Sequence, residues 1–148
     1  MKSDLLYVDG YNMIGAWPHL AQLHRSDQLA TARDELLREL SEFAKYEDIE
    51  IRVVFDAQFV PGIQKQYSRY NLTVIFTKED ETADSYIEKA VGNENLHTTN
   101  VIVATSDLAE QWLVFQRGAS RKSAHDLYKE VRYTKGKIRV DAHEYNVR

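Results

Sequence analysis

Four aspartates stand just after short apolar runs: Asp9 in "YVDGYN", Asp56 in "VVFDAQ", Asp84 in "IFTKEDETAD" and Asp107 in "VATSD". An apolar strand rarely ends in a carboxylate without a partner for the charge. If these runs are neighbouring parallel strands, their carboxyl ends share one edge, where open α/β sheets bind ligands. Four acids gathered at that edge repel one another unless a cation sits between them. Oxygen ligands with no His or Cys beside them favour Mg2+ or Mn2+ over zinc.

Each residue also has a simpler account. Asp107 can cap a helix that begins at Leu108. Asp84 can be a first-turn acid held by a helix dipole. Asp56 can open an Asx-turn, and Asn12 can be a turn residue beside Gly10. One shared cation explains all of them together, and that is the reading adopted.

The elements that must carry these residues follow from periodicity. Asp4–Val8, Ile49–Phe55, Leu72–Thr77 and Val101–Thr105 read as strands. Helical spacing appears from Ser26 to about Tyr46, over Thr82–Val91, over Leu108–Arg117 and over Ser123–Arg132. Ser26 or Asp27 is the expected N-cap of the first helix. Residues 10–25 and 56–70 read as irregular connections, and 133–148 as a short β-prone tail. Strands alternating with amphipathic helices predict an α/β fold, a mainly parallel sheet of at least four strands covered on both faces. The 148 residues are expected to form one domain.

Composition narrows the chemistry further. The chain has no Cys, which removes disulfides, thiolate zinc sites and cysteine nucleophiles. No GxxxxGK[ST], GxGxxG or GxSxG motif occurs, and His19, His24, His97, His125 and His143 are scattered without metal spacing. No signal peptide and no apolar run long enough to span a membrane is evident, so a cytoplasmic protein without a membrane partner is expected. The net charge of −4 hides a division: residues 1–116 carry −9 and residues 117–139 carry +6. Such asymmetry marks either a polyanion-binding face or a solvated helix face. "QKQYSRY" at 64–70 mixes Lys65, Tyr67, Arg69 and Tyr70, a blend suited to single-stranded nucleic acid or to an edge loop.

"LLYVDGYNMIGAWP", "VVFDAQ", "VIFTKEDETADSYIEK", "VATSDLAEQW" and "GASRKSAHDL" together resemble the YacP-like NYN-domain proteins, a bacterial branch of the PIN-like ribonucleases. The resemblance spans roughly residues 5–132, with the motifs in order. It implies a PIN-like three-layer α/β/α fold and divalent-metal-dependent cleavage of single-stranded RNA, with messenger RNA at the ribosome as the expected setting. The implied acidic site falls on Asp9, Asp84 and Asp107, with Asn12 beside them and Asp56 in support. Residues 133–148 depart from the helical extension expected there.

A polyanionic substrate at an acidic site needs cations close by. Lys78, Arg117, Arg121 and Lys122 are the expected RNA contacts, with Arg33 a weaker candidate. Two other readings stay open. One is a PIN-like module that binds RNA or the ribosome without catalysis. The other is a phosphatase or phospho-acceptor using a strand-end Asp, for which Tyr11 stands where a second Asp is wanted.

Overall fold

The computed structural model describes residues 2–57, 66–69 and 71–147, with 66–69, 113 and 143–147 described as backbone. Strand β1 (Ser3–Asp9) is followed by α1 (Gly10–Ala16), α2 (Pro18–Arg25), α3 (Leu29–Glu47) and β2 (Glu50–Phe55). Then come β3 (Gln66–Arg69), β4 (Leu72–Phe76), α4 (Ala83–Gly92) and β5 (Thr99–Ala104). The chain continues through α5 (Leu108–Gln116), β6 (Ser120–Lys122) and α6 (Ala124–Val147). The sheet order is β3-β4-β2-β1-β5-β6, with β3 antiparallel at one edge and the other five strands parallel.

Alternation along β1 feeds two cores. Leu6 and Val8 join Leu36, Leu40, Leu127 and Val131 on the face covered by α1, α2, α3 and α6. Leu5 and Tyr7 join Ile87, Val91 and Val114 on the face covered by α4 and α5. A strand buried on both faces must be apolar at every position, which is why Leu5–Val8 shows no polar alternation. The chain first leaves β1 toward β2 and later returns to its other side as β5. That reversal makes the carboxyl ends of β1 and β5 the topological switch point of the sheet.

Four expectations need correction. Residues 10–25 form α1 and α2, because Gly10 is the first helical residue behind the Asp9 cap and Pro18 sits at the start of α2. Neither Ser26 nor Asp27 caps α3; Gln28 occupies that position without a side-chain bond, and Asp27 lies at φ 60°. Short strands β3 and β6 stand in stretches with too few residues to show a period.

Residues 133–147 are not a β-prone tail but the continuation of α6. Helix α3 supplies partners along its length: Thr134 Oγ1 donates to Glu47 Oε1 at 2.6 Å, and Tyr46 Oη donates to Asp141 Oδ2 at 2.8 Å. Tertiary contact overrides the local β propensity of "KIRV".

Candidate active site

The turn after β1 dictates its own residues. Asp9 follows the parity of Leu5 and Tyr7, so it belongs to the face covered by α4 and α5. Its Oδ1 accepts from the backbone N–H of Asn12 at 3.4 Å, capping α1. A Cβ on Gly10 would lie 2.3 Å from Cε1 of Phe55, so only glycine lets the chain pass from strand to helix here. Asn12 Oδ1 accepts from the backbone N–H of Ser106 at 2.7 Å, and Ser106 Oγ accepts from that of Ala124 at 3.0 Å. These two bonds tie α1 to the β5–α5 loop and to α6. Asn12 therefore positions the loop carrying Asp107.

That loop delivers two more acids. Asp107 Oδ1 accepts from Ala109 N at 2.9 Å and Glu110 N at 3.3 Å, so it does cap α5. The buried hydroxyl of Thr105 donates to Glu110 Oε2 at 3.0 Å and accepts from Asp107 N at 3.1 Å. Glu110 is only 2% exposed, and its Oε1 is buried without a hydrogen-bond partner among the described residues. Asp84 enters from the first turn of α4, next to the cap Thr82.

Electrostatics bind these side chains into one group. Burial, then the charge of the neighbouring Asp9, push the Glu110 carboxyl up to about 9, and Asp84 adds to the effect. Asp9 is raised first by its own burial, with the Asn12 amide acting against the rise and the charges of Asp84 and Asp107 adding to it. Burial and mutual repulsion thus raise both the Asp9 and the Glu110 carboxyl above their ordinary range.

The donor set suits a hard divalent cation: every ligand atom is oxygen, the charge is in excess, and one buried oxygen lacks a partner. Among the described residues, however, no three His, Asp or Glu side chains stand at distances that would already grip an ion. Asp9, Asp84, Asp107 and Glu110 are grouped by charge rather than closed into a cage.

Of the residues expected from sequence, Asp9, Asp84 and Asp107 meet here. Asp56 follows β2, and the Tyr11 phenol is raised by its own burial and further by the charge of Asp56. Glu110 was absent from the sequence reading. Its signal was available in "DLAE", an acid three residues after a helix cap, the spacing of a capping box. Here the side chain turns inward instead of bonding the cap.

The expected cations divide. Lys78 follows β4 at the carboxyl edge, is exposed, and forms no ion pair among the described residues. Arg117 follows the last turn of α5, about 10 Å along the axis from Glu110, and pairs with Glu88 at 3.3 Å. Lys122 pairs with Glu130 at 2.7 Å, while the guanidinium of Arg121 lies 5.6 Å from the Phe115 ring centre. Arg33 donates to the Tyr11 hydroxyl at 3.2 Å. Part of the basic stretch serves the interior. The buried Glu39 carboxylate is held by Arg132 at 3.1 Å, His19 at 2.9 Å and Lys135 at 3.9 Å. Lys65 and Tyr70 lie outside the described residues, and Tyr67 and Arg69 are described only as backbone of β3.

The family described as the YacP-like NYN domain matches residues 6–148. The chain is 48% identical over 128 residues to the Bacillus subtilis (strain 168) protein "Uncharacterized protein YacP", covering 86% of this chain and 75% of that one. It resembles the crystal structure of Rae1 (YacP) from Bacillus subtilis at a TM-score of 0.86 and 44% identity, covering 97% of this chain and 82% of that one. A mutant of that protein matches at a TM-score of 0.85 and 41% identity, over 98% of this chain and 84% of that one.

Proposed function

The chain belongs to the YacP-like NYN domain family, and from that premise we propose that it is a divalent-metal-dependent endoribonuclease acting on single-stranded RNA. The observation that carries the reading is the coupled carboxylate group of Asp9, Glu110, Asp84 and Asp107 at the β1/β5 switch point. Messenger RNA presented by the ribosome is the proposed natural substrate, and the cytoplasm the proposed location. No helix among the described residues is long and apolar enough to cross a membrane.

Asp9, Asp84 and Asp107 are the proposed ligands of Mg2+ or Mn2+, with Glu110 beside them. Such an ion, when bound, supplies Lewis-acid stabilisation of a phosphodiester and lowers the pKa of water. The remaining work falls to the chain. Glu110, held by Thr105 beside Asp9, would add a further carboxylate oxygen to the group and could hold a proton there. Asn12, through Ser106, fixes the loop that carries Asp107, and the amide group of Asn12 is a candidate donor to a phosphate oxygen. Lys78 offsets the negative field that a polyanion meets on approach.

The test uses purified protein, a labelled single-stranded RNA and the same RNA in duplex form, each with Mn2+, Mg2+ or EDTA, with and without ribosomes. Cleavage of the single strand that requires the divalent ion is expected. Asp9→Asn, Asp84→Asn and Asp107→Asn should each lose at least ~100-fold, with melting temperatures in EDTA level or higher. Binding without cleavage in every condition would favour a non-catalytic RNA-binding module. Full activity in any two of the variants would remove the proposed site.

A further inference from the structure

Helix α5 turns its large apolar residues outward. Leu108 is 80% exposed, Trp112 57% and Phe115 58%. Their spacing puts them on one stripe, on the side of the helix opposite Glu110 and the buried Val114. The Trp112 and Phe115 rings lie 6.4 Å apart between centres with 26° between their planes, and the guanidinium of Arg121 sits against Phe115. Water-facing apolar surface on this scale marks a binding surface.

We propose that this stripe is a stacking platform for the bases of a single-stranded RNA whose phosphodiester lies at the acidic group. The inference rests on the ribonuclease reading and deepens it. Three observations select RNA over a protein partner. The stripe starts at the residue after Asp107, on the side of α5 turned away from Glu110, so a strand leaving the acidic group would reach it by passing over the N-terminal end of the helix. Its length, the seven steps from Leu108 to Phe115 or about 10 Å, matches roughly three stacked bases. Arg121 at its far end supplies a cation for the backbone, and a guanidinium beside exposed rings is the composition of sequence-tolerant single-strand sites. The platform would fix which phosphodiester reaches the carboxylates by holding the bases on one side of it. A duplex hides its base faces and could not use it.

The protein carries its own reporter, because Trp17 is buried and Trp112 is exposed. A nine-nucleotide single-stranded RNA is titrated into the full chain in EDTA. Tryptophan emission and the anisotropy of a fluorescein-labelled copy of the RNA are followed together. Stacking is expected to quench Trp112, and Trp112→Ala is expected to bind about 5- to 100-fold more weakly. Trp112→Phe should keep most of the affinity and lose the quenching. The same backbone without bases should bind without quenching.

Unchanged affinity in Trp112→Ala, or binding that leaves Trp112 emission unaltered, overturns the platform. So does a parent dimer in sedimentation that Trp112→Ala dissolves, since a second copy then covers the stripe. Cleavage on adding Mn2+ is scored separately. RNA cut without any effect on Trp112 removes the platform and keeps the ribonuclease; RNA that quenches Trp112 and is never cut does the reverse. Absence of any RNA binding by the parent overturns both.

Discussion

Glu110→Gln is expected to flatten the dependence of stability on pH. The folded carboxyl is raised from 4.5 to about 9 by burial and by Asp9. Between those values the folded chain keeps a proton that the unfolded chain has lost. The associated stability is therefore complete below about 4.5 and declines as pH rises toward about 9. One proton corresponds to about 1.4 kcal/mol per pH unit. From pH 5 to pH 8 the parent should lose up to about 4 kcal/mol on this account, an upper bound because Asp9 shares the proton. Glutamine keeps the shape, can accept from Thr105 and can donate to Asp9, but does not titrate. The variant should thus match the parent within about 1 kcal/mol at pH 5 and exceed it at pH 8. Urea unfolding in EDTA, followed by tryptophan fluorescence at each pH, gives both curves with the other titrations cancelling in their difference. Curves that stay parallel, or a variant less stable throughout, would refute the reasoning. Cleavage in Mn2+ should fall in the same variant, because the removed charge is the one a cation needs.

Two further expectations concern the frame around the site. Gly10→Ala should cost about 1–3 kcal/mol through its collision with Phe55 and should lower activity further than its stability accounts for, since Asp9 is the adjacent residue; urea unfolding and cleavage on one preparation compare the two, and full activity would break the link. Arg121→Glu should weaken RNA binding and make log affinity against log salt shallower by ~0.7, whereas Arg117→Glu, the same charge change beside Glu88, should not; equal effects would reduce both to general electrostatics.

Much of the sheet was legible because its signal is local. Leu5–Val8 and Val101–Ala104 are apolar at consecutive positions, as strands buried on both faces must be. The acids that follow them were legible for the same reason, a charge at the end of an apolar run. What escaped depended on partners distant in sequence. The α6 extension is set by Glu47, Tyr46 and Glu39 on α3, none of which is local to residues 132–141. The inward use of Arg132 and Lys135 was hidden too, since a count of charges does not say which of them face a buried glutamate. The pairing of Arg117 with Glu88 was hidden for the same reason, since the two lie on different helices.

Helix α5 shows where periodicity stops being informative. "LAEQWLVFQ" repeats its apolar residues at helical spacing, and the ordinary rule sends the largest of them to the core. The fold does the reverse for the most conspicuous ones: Trp112 and Phe115 face water while the carboxylate of Glu110 is buried. Spacing fixes that a helix forms but not its rotation about its own axis. Here Ala119 and Val114 hold one side against the second core, and Thr105 and the Asp107 cap set the first turn. Once that turn is fixed, Glu110 must point at Asp9 and the aromatic rings must point away. A buried acid without a fixed cation and exposed aromatics both cost stability in the free protein. Both costs fall on one short helix, and on the proposed reading each would be relieved by a different part of one ligand: the acids by a divalent ion under a phosphodiester, the rings by its bases.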